Sequence, residues 1–180
     1  MMEKPQSFIA FEILYWCGLR LGELLALTPE DFDFETKRLS ITKSYQRMHG
    51  EDVITAPKTP KSVRSIVMPE FLVGEVIDFM RCIPDLRNDD RLIPVTKSFL
   101  HHEMDRGAKA AGVKRIRIHD LRHSHVSLLI ELGYSALAIA DRLGHESTEV
   151  TMRYAHLFPN KQEDMACDLD VQRGNAESPF

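Results

Sequence analysis

Six side chains in this sequence are of types that act together on phosphate esters: Arg20, Lys58, His119, Arg122, His145 and Tyr154. Two guanidinium groups can hold the non-bridging oxygens of a phosphodiester with paired hydrogen bonds, and they stay charged at any working pH. A tyrosine hydroxyl can attack phosphorus, but its ordinary pKa of about 10 calls for a base or a strongly positive site. The set predicts phosphoryl transfer without a metal ion, because cationic side chains neutralise the developing charge.

The spacing of His119 and Arg122 predicts that both lie on one helical face. They are three residues apart, which is the separation of neighbours on a helix surface. The same stretch begins a predicted helix, so its backbone N–H groups and dipole also favour a phosphate. Arg20 lies far upstream, and only the fold can bring it beside Arg122.

Each of these residues taken alone has a simpler explanation. Arg20 beside Glu23 is also the pattern of an ion pair on a surface helix. Lys58 alone is typical of a solvated turn, and Tyr154 alone is typical of a half-buried core tyrosine. The argument for a site therefore depends on finding all six residues in one ordered pattern.

Other catalytic signatures are excluded by the sequence. The chain has no G-x-x-x-x-G-K-[ST] phosphate loop, no G-x-S-x-G elbow and no H-E-x-x-H zinc helix, since residue 149 is glutamate where His145-Glu146 would need a second histidine. His119 and His123 have an i,i+4 spacing that could bind zinc. The three cysteines lack ligand spacing, however, so we expect no metal and no other cofactor.

The six residues occur in order within short motifs: Gly18-Leu19-Arg20-Leu21-Gly22-Glu23-Leu24, Ala56-Pro57-Lys58-Thr59, His119-Asp120-Leu121-Arg122-His123, Leu143-Gly144-His145, and Tyr154 nine residues after that histidine. In this ordered set the chain resembles the tyrosine recombinases, the family of phage and transposon integrases. The resemblance covers about residues 6–160. It implies that Tyr154 is the nucleophile, that Arg20 and Arg122 hold the phosphate, and that Lys58 protonates the departing 5′ oxygen.

The resemblance also implies supporting roles. His119 is the expected acceptor of the tyrosine proton, and His145 is expected to hydrogen-bond the phosphate. Glu23 is expected to orient an arginine or the histidine. Further support is expected from Asp120, His123 and Thr151, and Lys61 is the next candidate for the acid if Lys58 is not.

The function that the resemblance implies is site-specific DNA recombination or integration through a 3′-phosphotyrosyl intermediate. One alternative is nicking and sealing of the type IB topoisomerase kind, without synapsis. Another is a non-enzymatic DNA-binding or assembly module, against which the intact six residues argue. The expected partners are double-stranded DNA and further copies of the chain in a tetramer on DNA, with accessory excision or DNA-bending proteins as additional candidates.

The distribution of charge is compatible with DNA binding although the net charge is −4. Residues 37–122 carry seventeen basic and eleven acidic side chains, whereas the segments before and after each have a net charge of −5. A basic middle between acidic ends suits one face that meets phosphate. No apolar run approaches the roughly 18–20 residues that cross a membrane. Three widely spaced cysteines fit a reducing compartment, so we expect a cytoplasmic protein of a bacterium, phage or mobile element.

Periodicity and turn signals predict an α+β fold that is mainly α-helical, with a small antiparallel three-stranded sheet. Helices are expected over 7–17, 19–27, 70–81, 97–111, 120–132, 135–143, 147–154 and, weakly, 161–169, with a further helix start at Thr28-Pro29. The strands are expected over 39–44, 53–55 and 65–68, and an exposed loop over 84–94.

We interpret residues 1–180 as one catalytic domain with a core over about 6–160 and a tail over 161–180. Leu157, Phe158, Met165 and Leu169 are apolar residues in or near that polar tail, which would pack on its own domain or on a neighbouring copy. Only about nineteen residues precede Arg20. The N-terminal DNA-binding domain that family members usually carry is therefore expected to be absent from this chain.

Overall fold

A computed structural model describes residues 4–57, 59–152, 154, 158 and 162–176. The mainly helical α+β class is confirmed. The helices in the described residues are α1 (Pro5–Cys17), α2 (Leu21–Leu24), α3 (Glu70–Arg81), α4 (Lys97–Ala111), α5 (Ile118–Glu131), α6 (Ala136–Leu143), α7 (Thr148–Met152) and α8 (Gln162–Ala176). None of the helices in these ranges is long and apolar enough to cross a membrane.

In the described ranges, five short strands form two antiparallel sheets. Strands β1 (Phe32–Asp33), β2 (Arg38–Ile41) and β5 (Arg64–Val67) form a three-stranded sheet in the order β1-β2-β5. Strands β3 (Ser44–Met48) and β4 (Glu51–Thr55) form a separate hairpin. The prediction of a small three-stranded antiparallel sheet is confirmed, and the predicted strands over 39–44 and 65–68 overlap β2 and β5, but the predicted strand over 53–55 belongs to the hairpin instead.

The error in membership has a local cause. The predicted strand over 39–44 divides after Ile41 between the two sheets, and the predicted strand over 53–55 pairs within the hairpin. His49 and Gly50 both have positive φ and form a two-residue turn that joins β3 directly to β4. Strand β1, only two residues long, is too short to leave a periodic signal in the sequence.

Helix α1 lies at the centre of the fold because it is apolar almost all round. Its buried residues include Ile9, Ile13 and Leu14, and it packs against α2, α3 and α5. The helix ends at Gly18, which adopts the left-handed conformation with φ of 63°. A side chain at Gly18 would lie 2.6 Å from the ring of His125. This close approach brings the Gly18-Leu19-Arg20 motif against α5.

Several predicted boundaries shift in the structure. Helix α2 covers four residues rather than 19–27: it begins after Arg20, whose backbone is extended, and it ends at Leu24. The helix start at Thr28 is a single 3₁₀ turn over Pro29–Asp31. The loop over 84–94 is not wholly exposed, since Leu92 and Ile93 are fully buried. Helix α5 begins earlier and α8 extends further than expected, whereas α3 and α4 match their predicted ranges.

The buried apolar residues form two clusters, which we call the larger core and the smaller core. The larger core draws on α1, the three-stranded sheet, α3, residues 92–93 and α4, and it includes Ile118 at the start of α5. The smaller core consists of Val126, Ile130, Ile139 and Leu143, with Leu129, Tyr154 and Phe158 packed against it. Helix α5 therefore runs from one core to the other.

Candidate active site

Five of the six sequence-predicted residues line one open cavity of about 430 Å³: Arg20, His119, Arg122, His145 and Tyr154. Glu23 and His123 also line it. Lys58 lies outside the described residues. Its chain neighbours Pro57 and Thr59 line the same cavity. Residues from five separate stretches of the chain are thus brought together, as the ordered motifs predict.

Arg122 is almost fully buried, with 4% of its surface exposed. Its Nη1 donates to the carbonyl oxygen of Gly18, and its Nη2 donates to the carbonyl oxygen of Leu143 at 2.8 Å. Burial, and then the charge of Arg20, lower the pKa of the Arg122 guanidinium to about 9. It remains charged at neutral pH and ties the end of α1 to the end of α6.

Arg20 is the more accessible arginine, with 40% of its side chain exposed. It precedes α2, where its backbone N–H donates to Glu23 Oε2 at 2.9 Å and its Nη1 donates to Glu23 Oε1 at 2.7 Å. The carboxylate of Glu23 therefore fixes both the backbone and the side chain of Arg20. The orienting role expected for Glu23 is consistent with these bonds.

Arg64 is a residue of the site that the sequence reasoning did not assign. It is almost fully buried, and its Nη1 and Nη2 donate to the Glu23 carboxylate at 3.2 and 2.9 Å. Its Nε donates to the carbonyl oxygen of Arg142 at 3.1 Å. Burial alone would raise the pKa of Glu23, but the bonds and charge of Arg64, followed by those of Arg20, outweigh it and hold that pKa below the usual 4.5.

The alternation of β5 offered a signal for Arg64. It lies two residues before the buried Ile66, so both side chains leave the strand on the same face. A charged residue on a core-facing register needs a buried partner. Glu23, on a distant segment, supplies it.

His145 follows Gly144, the left-handed residue that ends α6. A side chain at Gly144 would lie 2.6 Å from the carbonyl oxygen of Lys61, so the glycine allows this loop to pack closely. His145 Nδ1 hydrogen-bonds the hydroxyl of the fully buried Thr151 at 2.9 Å. Burial, and then the charges of Arg122 and Arg20, lower the pKa of His145 to about 4. The imidazole is therefore neutral at pH 7, and if Thr151 donates to Nδ1, Nε2 carries the proton and can donate to a phosphate.

Lys61 does not line this cavity, although Glu146 does. Its ammonium donates to the carbonyl oxygen of Glu146 at 2.9 Å, and it lines a neighbouring cleft with Ser147. Its position gives no support to Lys61 as a substitute for Lys58.

Tyr154 is half-buried, and its hydroxyl forms a hydrogen bond with Nδ1 of His123. The ring of His119 packs edge-on against His123 with centroids 4.8 Å apart. Burial, and then the neighbouring His123, lower the pKa of His119 below its usual 6.5. Asp120 caps α5 by accepting from the backbone N–H of Arg117 at 2.8 Å, which fixes the first turn of this helix.

Within the described residues, no group of three or more histidine, cysteine or acidic side chains is arranged to hold a metal ion. What the cavity gathers is a set of guanidinium groups and imidazoles around a tyrosine hydroxyl. Such a set suits a negatively charged phosphate that reacts with that hydroxyl.

The chain belongs to the phage integrase family, which matches residues 3–161. It is similar to the ICEBs1 integrase of Bacillus subtilis, with 34% identity over 92% of this chain and 50% of that protein. It is also similar to the tyrosine recombinase XerC of Alcanivorax borkumensis, with 30% identity over 81% of this chain and 46% of that protein. The chain spans about half the length of these curated relatives.

A solved structure shares the fold. The integrase of transposon Tn1549, in complex with circular intermediate DNA, superposes with a TM-score of 0.78 at 23% identity, over 96% of this chain and 61% of that one. At this identity the likeness shows the fold. It agrees with the family membership and with the mainly helical architecture described above.

Proposed function

We propose that this chain is the catalytic domain of a tyrosine recombinase that cuts and rejoins DNA at specific sites through a 3′-phosphotyrosyl intermediate. One observation carries the proposal: the Tyr154 hydroxyl, bonded to an imidazole, lines the same cavity as Arg20, Arg122 and His145. Family membership and the DNA complex of the Tn1549 integrase support it.

In the proposed reaction each side chain of the site has one role. The oxygen of Tyr154 attacks the phosphorus of a DNA phosphodiester and loses its proton to a base. The bond from phosphorus to the 5′ oxygen breaks, and Lys58, as the resemblance implies, protonates that oxygen to a free 5′-hydroxyl. Arg20 and Arg122 hold the non-bridging oxygens, and His145 donates a hydrogen bond from Nε2. Attack by a 5′-hydroxyl of another strand reverses these steps and rejoins the DNA.

We propose that the reaction proceeds without a metal ion, because the cationic side chains supply the charge that a metal would. Strand cleavage should continue in excess EDTA. A strict requirement for magnesium or manganese would contradict this part of the proposal.

We further propose that the protein acts in the cytoplasm on double-stranded DNA as a tetramer, since exchange requires two duplexes to be cut. Accessory excision or DNA-bending proteins are candidate partners. Bacterial, phage and transposon integrases are among the relatives, which supports a bacterial or mobile-element setting.

The central test uses a nicked duplex that carries a candidate attachment site, so that the cut fragment diffuses away and the covalent adduct accumulates. Tyr154→Phe removes one oxygen and should abolish the adduct while DNA binding is retained. Tyr134→Phe is the matched control, because Tyr134 is exposed and lies outside the cavity, and it should form the adduct at the wild-type rate. An adduct that persists in Tyr154→Phe would refute the assignment.

The same protein can be tested for exchange between two duplexes. Recombinant joints between them are expected from a recombinase. Relaxation of supercoiled DNA without such joints would instead identify a nicking and sealing enzyme, and DNA binding without any adduct would identify a binding module.

A further inference from the structure

His123, rather than His119, is the imidazole that contacts the hydroxyl from which Tyr154 must lose a proton. Of the two histidines on this face of α5, His123 is the one whose ring nitrogen forms the described hydrogen bond with the tyrosine hydroxyl. The bond joins Nδ1 to the reacting oxygen itself, so no intervening group is needed. The rings of His123 and Tyr154 lie 5.7 Å apart between centroids, tilted by 48°.

The position of His123 is fixed by its neighbour in sequence. Arg122 is held between the carbonyl oxygens of Gly18 and Leu143, which locks this turn of α5 against the ends of α1 and α6. His123 follows immediately and lines the cavity, whereas Leu121 packs on the larger core. His119, one turn earlier, packs edge-on against His123 and supports its ring.

Resting on the proposed function, we propose that His123 is the general base of the reaction and that His119 is a positioning residue for it. Nδ1 of His123 accepts the Tyr154 proton as the bond from the tyrosine oxygen to phosphorus forms, and the bond to the 5′ oxygen breaks. That oxygen takes its proton from the acid, so one proton is gained by His123 and one is lost by the acid. In the rejoining step His123 returns its proton to the departing tyrosine oxygen.

This role requires the tautomer of His123 with its proton on Nε2, so that Nδ1 carries a lone pair. The imidazolium formed after transfer lies beside the carboxylate of Asp120, three residues earlier on α5, which is held by Arg117. The charged and titratable groups around His123 are His119, Asp120, Arg122 and Tyr154, together with Arg20, Glu23, His145 and Glu146 in the same cavity.

The first experiment compares single-turnover cleavage of the nicked attachment-site duplex by wild type, His123→Ala and His123→Gln. General bases contribute roughly 10²- to 10⁴-fold, so both variants should be slowed at least about 10²-fold. Added imidazole should restore His123→Ala, because a free imidazole can occupy the space and accept the proton. It should not restore His123→Gln, whose amide can orient the hydroxyl but cannot take its proton.

The matched controls are His119→Gln and His102→Ala. His102 is an exposed histidine on α4 outside the cavity, and its loss should leave cleavage unchanged. His119→Gln should slow cleavage less than His123→Gln does and should gain nothing from imidazole. Wild-type cleavage by His123→Gln would show that the residue only positions Tyr154, and imidazole rescue of a His119→Ala variant rather than His123→Ala would return the base to His119.

A second experiment separates the base from the acid. With sulfur in place of the 5′ bridging oxygen, the leaving thiolate needs no proton donor, so Lys58→Ala should recover most of its rate while His123→Ala stays slow. Recovery of His123→Ala on the sulfur substrate would overturn the proposal by making His123 the acid. Failure of the proposed function is distinguishable, because it requires an adduct that survives Tyr154→Phe or no adduct in wild type, whereas failure at His123 leaves adduct formation by wild type intact.

Discussion

The larger and smaller cores hold different halves of the site. Arg20, Glu23 and Arg64 belong to segments packed on the larger core, whereas His145 and Tyr154 lie on the side of the smaller core, which has four buried apolar residues in the part of the chain that the structure describes. Because stability within a domain follows the density of buried contacts, the two halves should differ in local stability. Arg20, a proposed phosphate ligand, thus lies on the half expected to be firmer, whereas His145 and the proposed nucleophile Tyr154 lie on the half expected to be more easily displaced.

Two arginines connect the halves through backbone carbonyls. Arg122 joins Gly18 to Leu143, and Arg142 on α6 donates to the carbonyl oxygens of Trp16 and Val67 and, through Nε, to the ring of His125. A guanidinium has five N–H donors in a fixed plane, so it can bridge carbonyls that lysine cannot reach together. Loss of one of these bridges should therefore affect both halves of the site.

The largest effect is expected from Arg122→Lys. Lysine keeps the charge but cannot bond both carbonyls and a phosphate, so cleavage should fall by about 10² or more. An unsatisfied buried carbonyl costs about 1–3 kcal/mol, so the free energy of unfolding should fall as well. Cleavage assays and denaturant unfolding measure the two losses, and Arg81→Lys, at an exposed arginine on α3, should show neither. Wild-type unfolding of Arg122→Lys would mean that the bridge does not join the halves.

The next effect is expected within the firmer half, from Arg64→Met. This change leaves the buried Glu23 carboxylate with Arg20 as its remaining described cationic partner, and breaking a buried pair costs about 3 kcal/mol or more. Unfolding by denaturant should show this loss. Arg115→Met removes an exposed pair with Asp105 and should cost under about 1 kcal/mol. Equal losses in the two variants would contradict the buried role of Arg64.

A smaller, pH-dependent effect is expected where the halves meet, at His125. Burial, and then the charges of Arg142 and Arg122, lower the pKa of this ring from 6.5 to about 4. The unfolded chain therefore takes up the proton first, so the folded state loses stability as pH falls from about 6.5 to about 4. His125→Gln keeps an acceptor for Arg142 and should flatten the fall of unfolding free energy across that window. An unchanged slope would place the acid sensitivity elsewhere, with His145 the next group to test.

The site was more predictable from sequence than the sheet that surrounds it. Arg20, Arg122, His145 and Tyr154 lie in motifs whose order resembles one family, and the structure brings these four residues to one cavity. Arg64 carried only the weak signal of strand alternation, and its partner Glu23 lies on a separate segment. The contact between His123 and Tyr154 depends on how α5 packs beside α6, which no local pattern encodes.

The smallest effect on the isolated protein is expected from changes in the tail. These changes also test the half of the site that lies on the smaller core. Phe158 packs on the smaller core, but Met165, Leu169 and Val171 on α8 are more than half exposed, and Leu157 lies outside the described residues. An apolar cleft of about 410 Å³ between α5 and α6, lined in part by Leu132, is a candidate to receive α8 from a neighbouring copy.

Leu169→Ser should leave the unfolding free energy within about 0.5 kcal/mol of wild type, because an exposed leucine adds little to its own domain. The same change should weaken synaptic complexes on attachment-site DNA while monomer binding is kept, and Leu132→Ser in the cleft should match it. Removal of residues 160–180 should produce the same loss of synapsis. If Leu169→Ser instead destabilises the monomer, α8 packs on its own domain; if synapsis and recombination survive all three changes, the tail does not join neighbouring copies. Either result would leave the smaller core to position Tyr154 without help from a second protomer.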